Sequence, residues 1–413
     1  MQGTVHIIGA GLAGLSAATT LVEAGRHVAV YEAAAQAGGR CRSYYDTAFG
    51  GVIDNGNHLV LSGNEAVMTY LKRINSGFGS NAKDPAFDFI DRQTMQRWQL
   101  RLSKGRIPWW IGSSTRRIPG TRFTEYFSLL RLLKAASQQK AGALLDTHAL
   151  LYQRLWHPLL LSVLNTDPIE ASATLAAAII RGTLLKGGAA CVPLVAEGLS
   201  GVFIDPALRY LSTCDVKVQM GQRVRHIQFD GERAAALEFA SGEPATLTAN
   251  DSVILAAPPW EAASLLPGLQ VPDDYRAILN VHFRVKAPAG APAILGVIHA
   301  TTEWIFAFPD RISVTVSSAD RLMQEDRETL VRRIWQEVSA VTGLAGALPP
   351  WQIVKEKRAT FAATPAQNAK RPQAATKWRN IHLAGDYVQT GLPATIEGAI
   401  RSGMRAAELA LAL

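Results

Sequence analysis

Cysteine, acidic side chains and long apolar runs are all scarce in this chain of 413 residues. The three cysteines, Cys41, Cys191 and Cys214, are widely spaced, which excludes a disulfide framework and any CxxC metal or redox pair. We therefore expect a reducing, cytosolic compartment and no metal site. No apolar run approaches the ~20 residues of a membrane-spanning helix, and no signal-peptide pattern precedes the first strand-like segment.

The shortage of acids leaves the chain basic, with 34 acidic against 42 basic residues and a formal charge of +8. Such a balance permits a nucleic acid, an anionic substrate or a membrane surface as partner, and the positions of the basic residues must decide among them. A hydrophobic fraction of 48% predicts a large folded core, and the length allows two or three domains.

The first 32 residues combine the parts of a dinucleotide site. A β-branched strand at 4–8 runs into a glycine turn, a helix at 12–24, and a second strand that ends in an acid. In this fingerprint the first glycine forms the turn, the second lets the backbone approach a pyrophosphate, and the third lets the helix pack on the strand. The helix N-terminus faces the phosphates, and the acid accepts hydrogen bonds from a ribose. The predicted cofactor-binding residues are Gly9, Gly11, Leu12, Ala13, Gly14 and Glu32.

A second glycine turn decides between FAD and NAD, which the first motif cannot separate. Gly38, Gly39 and Arg40 follow Glu32 closely and resemble the second signature of the large flavoprotein class that includes amine oxidases and phytoene desaturases. In that class this segment lies along FAD, and the resemblance implies that Arg40 reaches the cofactor. We therefore predict an α/β fold with a Rossmann-type FAD-binding domain of the glutathione reductase and amine oxidase kind.

Two later segments resemble further parts of the same domain. Val224 begins a strand that follows a helix and a shorter strand, and residues 234–239 predict its hairpin partner. This resembles the adenine side of the flavoprotein class, with Val224 as a contact. Near the C-terminus, the strand at 381–386 ends in Gly385 and Asp386, which in the class reach the ribityl and pyrophosphate groups.

The C-terminal helix follows this strand after a short loop. In the flavoprotein class the N-terminus of this helix, here Thr395 and Ile396, faces the flavin N1/O2 edge, where negative charge accumulates on reduction. Glu397 can be explained as first-turn helix chemistry without a catalytic part.

These segments predict a discontinuous FAD-binding domain, formed by residues 1–75, 191–265 and 351–413. Residues 76–190 and 266–350 lack nucleotide signatures and predict an inserted α+β substrate domain. Within it, 312–317 alternates as a strand, and 319–342 has the spacing of one amphipathic helix.

Residues 104–140 hold most of the charge excess, with eight basic residues against the single acid Glu125 and a net charge of +7. Aromatic and leucine residues are interleaved with the basic ones. This composition suits an interfacial membrane segment that lies among headgroups without spanning the bilayer. An ordinary basic surface remains an alternative, whereas nucleic-acid binding would serve no purpose in a flavoprotein.

A further resemblance runs over most of the chain and rests on residues 53–58, 155–161, 164–166, 258–261, 355–365 and 391–399. In these segments the chain resembles one family, the hydroxysqualene dehydroxylases, which are squalene-associated FAD-dependent enzymes of bacterial hopanoid biosynthesis. Asn57, His157 and Tyr387 depart from the family pattern, although Tyr387 keeps an aromatic ring near the flavin.

The resemblance implies reductive removal of the allylic hydroxyl of hydroxysqualene to give squalene and water, with reduced FAD as donor. An allylic C–O bond can ionise when an acid protonates the oxygen, a hydride arrives from flavin N5, and an apolar tunnel excludes water. For the acid we consider His58 first, with Asp54 as its orienter, because the related strand in flavoproteins passes beside the ring. Alternatively, both residues only satisfy local backbone groups.

Other functions remain open at this point. A desaturase or an amine oxidase would run the flavin oxidatively, an isomerase would be redox-neutral, and a lipid-binding protein could keep a flavin for structure alone. The expected partners are an apolar triterpenoid and a membrane surface, on the inner face of a bacterial cytoplasmic membrane. The sequence does not indicate the electron donor.

Overall fold

The computed structural model describes residues 3–79 and 84–413. Its strands are β1 Val5–Ile8, β2 Val28–Glu32, β3 Ser43–Asp46, β4 Gly51–Asp54, β5 Leu59–Leu61, β6 Ala86–Asp91, β7 Arg97–Arg101, β8 Pro193–Val195, β9 Val218–Met220, β10 Val224–Asp230, β11 Arg233–Phe239, β12 Ala245–Thr246, β13 Ser252–Leu255, β14 Tyr275–Phe283, β15 Ile294–Ile298, β16 Trp304–Ala307, β17 Ile312–Val316, β18 Trp351–Phe361 and β19 Ile381–Leu383. Its helices are α1 Leu12–Glu23, α2 Glu65–Arg73, α3 Ser128–Leu133, α4 His157–Leu164, α5 Ala173–Gly182, α6 Asp205–Thr213, α7 Pro259–Leu265, α8 Arg327–Thr342, α9 Pro365–Ala369 and α10 Ile396–Leu411.

A parallel sheet of five strands supports the first glycine turn. Its order is β19-β13-β1-β2-β9, with β1 paired to β2 on one side and to β13 on the other. All four residues of β1 are buried, as expected for a strand covered on both faces of a parallel sheet. In chain order the strands read 5-4-1-2-3, the doubly wound arrangement, which confirms the predicted Rossmann-type fold.

Helices α1 and α10 cross closely beside this sheet. A Cβ on Gly403 would lie 2.1 Å from the backbone oxygen of Ala13, so only glycine permits this approach. The Ser16 hydroxyl donates to the backbone oxygen of Ile400 at 2.9 Å. The glycine turn before α1 and the segment before α10 therefore belong to one packed unit.

The second large sheet has seven strands in the order β18-β14-β17-β16-β15-β6-β7. Neighbouring strands are antiparallel except β15 and β6, which are parallel. Helix α8 buries Leu330, Ile334 and Val338 in the same apolar cluster as the inner residues of this sheet. This mixed sheet with its helix forms the inserted half of the molecule.

Two sequence expectations change here. The predicted return to the FAD-binding domain at residue 351 is too early, because β18 pairs with β14 along the edge of the seven-stranded sheet. The single helix predicted over 319–342 is interrupted: a 3-10 turn covers Ala319–Leu322, and α8 begins at Arg327. The side chain of Asp326 accepts the backbone N–H of Thr329 and starts α8 afresh, as an N-cap does.

Smaller sheets complete the described structure. Strands β10, β11 and β12 form an antiparallel meander, which contains the hairpin predicted from residues 234–239. Strand β3 pairs with β4, and β5 with β8. Within the described residues, no helix combines the length and the apolar character that crossing a bilayer requires.

Candidate cofactor and active site

The turn after β1 brings the backbone into the open where a ligand can reach it. Gly9 has a φ of +108°, and a Cβ there would lie 2.7 Å from the backbone oxygen of Ala256. A Cβ on Gly14 would lie 1.9 Å from the backbone oxygen of Gly9. At Gly11, in contrast, φ is −74° and no atom lies within 4 Å of the Cβ position. The first and third glycines are thus required by packing, and the second leaves space beside the backbone.

This space lies at the N-terminus of α1. Gly11 is the N-cap and has no side chain to accept from the first turn, so the N–H groups that begin with Leu12 and Ala13 receive no side-chain cap. The second turn lies alongside, since the N–H of Gly38 donates to the backbone oxygen of Ala10 at 2.8 Å. Free N–H groups at a helix N-terminus, flanked by glycine, suit a pyrophosphate.

Glu32 is fixed beside the same turn. Its carboxylate accepts the N–H of Ala10 and the N–H of Ala34, both at 2.8 Å. The N–H of Gln222 donates to the backbone oxygen of Glu32, which brings the buried Val224 at the start of β10 close to the acid. Because a carboxylate can accept more than two hydrogen bonds, Glu32 keeps capacity for a sugar hydroxyl.

Arg40 and Asp386 connect the second turn to the C-terminal segment. Arg40 Nη2 lies 2.7 Å from Asp386 Oδ1, and the Arg40 Nη1 donates to the backbone oxygen of Ala359 on β18. The N–H of Gly385 donates to Ser402 Oγ on α10 at 2.8 Å. The Arg40–Asp386 pair therefore joins three segments that are far apart in sequence. The predicted residues Gly39 and Gly385 directly precede its two members.

The N-terminus of α10 is capped by Thr395, whose Oγ1 accepts the N–H of Gly398 at 3.0 Å, and Ile396 is the first helical residue. Glu397, also in the first turn of α10, caps a different helix. Its buried carboxylate accepts the N–H groups of Ala66 and Val67 at the start of α2, at 3.2 and 3.0 Å.

The proposed acid and its orienter do not form a pair in the structure. Asp54 Oδ1 accepts from Ser43 Oγ at 2.6 Å and from the N–H of Leu199 at 2.8 Å, and Oδ2 faces Arg311 at 3.3 Å. No hydrogen bond joins Asp54 to His58 among the residues that the structure describes. In this structure Asp54 links β4 to the buried Arg311 of the substrate half, and its role as the orienter of His58 stays a prediction.

His58 is partly buried at the start of the segment that leads to β5. Burial lowers the pKa of His58 to about 4; the nearby Asp54 opposes this lowering, and Arg40 adds to it. The imidazole is thus neutral near pH 7, and it donates a proton readily only if added negative charge raises its pKa.

Two further residues belong to this site, and of these only Tyr387 is singled out in the sequence, by its place in the family pattern. Tyr387 is buried, its hydroxyl has no partner among the described residues, and burial raises the pKa of the phenol, so it stays protonated. Arg371 is buried and donates to the backbone oxygens of Asp386, Tyr387 and Val388 at 3.4, 3.1 and 2.6 Å. Arg371 lies outside every recognisable pattern, so only the fold could reveal its contact with the Asp386 loop.

Taken together, these residues fit an extended dinucleotide. The Cβ-free space at Gly11 and the uncapped N-terminus of α1 suit the pyrophosphate, Glu32 suits a ribose, and the unpartnered Tyr387 hydroxyl lies next to the Asp386 loop. Such a donor set on a doubly wound sheet defines a flavin-dependent oxidoreductase.

Comparison with known proteins agrees. The profile of the family described as flavin containing amine oxidoreductase matches residues 12–411, and FAD is the cofactor of this class. A putrescine oxidase bound to putrescine superposes with a TM-score of 0.70 over 100% of both chains, at 18% identity, and so shares the fold.

Two curated relatives are far more similar. The hydroxysqualene dehydroxylase of Rhodopseudomonas palustris is 51% identical over 100% of this chain and 99% of its own, and that of Zymomonas mobilis is 49% identical over 99% of each. Within the flavin-dependent class, the chain belongs to the hydroxysqualene dehydroxylase family.

Proposed function

We propose that the chain removes the allylic hydroxyl of hydroxysqualene reductively, with squalene and water as products. The observation that carries this proposal is about half identity to hydroxysqualene dehydroxylases along the whole chain, together with a site whose residues fit FAD. Reduced FAD, when bound, supplies the two electrons and the hydrogen that replace the hydroxyl. The remaining tasks fall to the protein.

Binding and orientation of the cofactor are assigned to the glycine turns and the Arg40–Asp386 pair. Gly9, Gly11 and Gly14 with the N-terminus of α1 would hold the pyrophosphate, and Glu32 would hold the ribose. Arg371 fixes three backbone oxygens of the Asp386 loop from behind. The loop can then keep Asp386 and Tyr387 in one orientation during turnover.

Departure of the hydroxyl needs a donor at the oxygen. The Tyr387 hydroxyl is unpartnered and protonated, so it can donate a hydrogen bond to the leaving oxygen. His58 is the candidate for proton delivery, and its lowered pKa means that bound negative charge must activate it.

Exclusion of water is the second requirement, because an allylic cation is captured by water within reach. Phe361, Trp304 and Tyr387 belong to one buried apolar cluster that extends from the Asp386 loop into the substrate half. Apolar side chains of this kind suit a hydrocarbon chain and would leave the cation without a competing nucleophile.

The direct test is an anaerobic single turnover. The FAD-loaded protein is reduced, hydroxysqualene is added, and both the return of the oxidised flavin spectrum and the squalene formed are measured. We expect one squalene per flavin. An unchanged reduced spectrum with no squalene would refute the proposal, and oxidation of a polyene by the oxidised enzyme would favour a desaturase instead.

We also propose that segment 104–140 contacts the membrane, on the inner face of the cytoplasmic membrane. The structure divides its side chains: Trp110, Tyr126 and Leu132 are buried, so they are not available to a bilayer. The exposed apolar side chains, which we call the apolar patch, are Ile107, Trp109, Phe123, Phe127 and Leu130. The exposed basic side chains of the segment are Lys104, Arg106, Arg116, Arg122, Arg131, Lys134 and Lys140. Apolar tips among cations suit an anionic interface.

A further inference from the structure

A cleft opens directly beside the apolar patch. It has a volume of about 320 Å³ and lies between the 3-10 turn Phe123–Phe127 and the turn Tyr152–Trp156. We call it the Trp156 cleft. Its wall includes Glu125, Phe127, Arg131, Leu151, Tyr152 and Trp156. A volume of this size accommodates part of a small molecule.

Three polar atoms in the wall have no partner among the described residues: Glu125 Oε2, Tyr152 Oη and Trp156 Nε1. Tyr152 and Trp156 are both more than nine-tenths buried. A buried polar atom without a partner is costly, and native proteins keep such atoms where a ligand or a bound water completes the bond. Three of them around one cleft point to a ligand with hydrogen-bonding capacity.

The backbone geometry agrees with this reading. Tyr152–Trp156 forms a π-helical turn that leads into α4. Turns of this kind are rare overall and often lie at functional sites. Tyr152 and Trp156, at the two ends of this turn, both line the cleft.

The residues that line the cleft limit the chemical class of the ligand. The two carboxylates Glu125 and Asp146 against the single cation Arg131 disfavour an anion. Glu125 Oε2 needs a donor, and Trp156 Nε1 needs an acceptor. A hydroxyl group is both a donor and an acceptor, and the Phe127 and Leu151 side chains suit a hydrocarbon part attached to it. The fitting class is a neutral, apolar alcohol.

We infer that the Trp156 cleft receives the hydroxyl-bearing part of the triterpenoid alcohol as it leaves the membrane, and that it selects this alcohol against the hydrocarbon product. This inference rests on the proposed function, in which substrate and product share one bilayer and differ by a hydroxyl. The product leaves all three polar atoms unpaired, and a site built for a hydroxyl rejects an analogue that lacks it. Phe127 and Arg131 are exposed, so their side chains can move aside as a molecule enters.

Hydrogen exchange on the FAD-loaded protein tests binding without using activity. Hydroxysqualene and squalene are presented in the same detergent micelles, and protection of residues 123–131 and 149–156 is measured. We expect protection by the alcohol and none by the hydrocarbon. Equal protection by both, or protection by neither, would overturn the inference and indicate a cleft that holds only water.

Two variants test whether the Trp156 cleft selects the alcohol against the hydrocarbon. Tyr152→Phe and Glu125→Gln each remove one hydrogen bond, so KM for hydroxysqualene should rise about fivefold, while kcat and the flavin spectrum stay unchanged. The ratio of the squalene inhibition constant to this KM should fall by the same factor. Tyr45→Phe, at a tyrosine whose side chain is exposed, is the matched control. Thermal melting identifies a variant that fails to fold.

An unchanged ratio in both folded variants would refute the inference and leave the proposed function intact. If the wild-type protein forms no squalene, the proposed function fails, and the exchange measurement still decides whether the cleft binds the alcohol.

Discussion

The glycine turn after β1 and the apolar patch are proposed to bind their ligands in opposite ways. In the turn, the proposed pyrophosphate site depends on side chains that are absent: the Cβ-free space at Gly11 and the close approaches at Gly9 and Gly14. In segment 104–140, the proposed membrane contact depends on side chains that are present and exposed. Substitutions should therefore do harm by adding atoms to the turn and by removing them from the segment.

The largest effect is expected from one added methyl group in the turn. In Gly14→Ala the new Cβ would lie 1.9 Å from the backbone oxygen of Gly9, and neither α1 nor β1 can move without disturbing the sheet. Overpacking against side chains costs about 1–3 kcal/mol, and a backbone obstacle places this variant at or beyond the upper end. We expect a clearly lowered melting temperature and loss of flavin on purification. A yellow protein with wild-type melting would contradict the packing argument.

Next comes removal of a side chain on the buried side of segment 104–140. Trp110 is 5% exposed and packs edge-to-face against Tyr126, whereas its neighbour Trp109 is 73% exposed. Trp110→Ala should cost about 3–5 kcal/mol in urea unfolding. Trp109→Ala should change the free energy of unfolding by no more than about 0.5 kcal/mol.

The same two variants separate folding from membrane contact. Trp109→Ala should bind vesicles of anionic phospholipid severalfold more weakly than the wild type in co-sedimentation, although its fold is intact. Added salt should weaken the wild-type binding as well, because the basic side chains contribute. Equal sedimentation of wild type and Trp109→Ala would remove the membrane proposal.

These differences show which features of the structure can be predicted from the sequence. The roles of Gly9, Gly14 and Glu32 follow from backbone geometry that a short local pattern determines, so the turn is predictable. Trp110 is buried and Trp109 exposed because Trp110 packs on Tyr126, whose ring in turn contacts Trp156. Composition alone does not contain these contacts.

The same limit applies within the candidate site. The family resemblance places the strand with Asp54 and His58 beside the flavin, and predicts Asp54 as the orienter of His58. The carboxylate is instead drawn to Arg311, more than 250 residues away, together with Ser43 and Leu199. Long-range partners of this kind, like those of Arg371, depend on how two sheets meet, and a single sequence carries no signal for that.

A smaller effect, on FAD affinity alone, is expected from substitution of Gly11, the second glycine of the turn. In Gly11→Ala the backbone conformation suits alanine and the new Cβ meets no protein atom, so the apoprotein should melt as the wild type does. The methyl group occupies the space that we assign to the pyrophosphate. FAD affinity should fall more than tenfold, measured by titration of the apoprotein. Unchanged affinity would place the pyrophosphate elsewhere, and Gly14→Ala provides the contrast in which the melting temperature also falls.

The smallest expected effect is on the free energy of unfolding in acid, and it depends on two histidines where the two halves meet. Burial lowers the pKa of His58, and that of His282, to about 4, below the ordinary value of 6.5. In the unfolded chain these imidazoles take up protons from about pH 6.5 downward, while the folded protein resists until about pH 4, so stability must fall as the pH falls through that window. For the partly exposed His58 we expect about 1 kcal/mol between pH 7.5 and pH 5. Urea unfolding at these two pH values should show a smaller acid loss in His58→Gln than in the wild type, and an unchanged loss in the control His148→Gln at an exposed histidine. If His58→Gln loses as much stability as the wild type, the pKa of His58 is not lowered in the folded protein. A part of the imidazole is then protonated near neutral pH and can deliver a proton to the leaving oxygen without activation by bound negative charge.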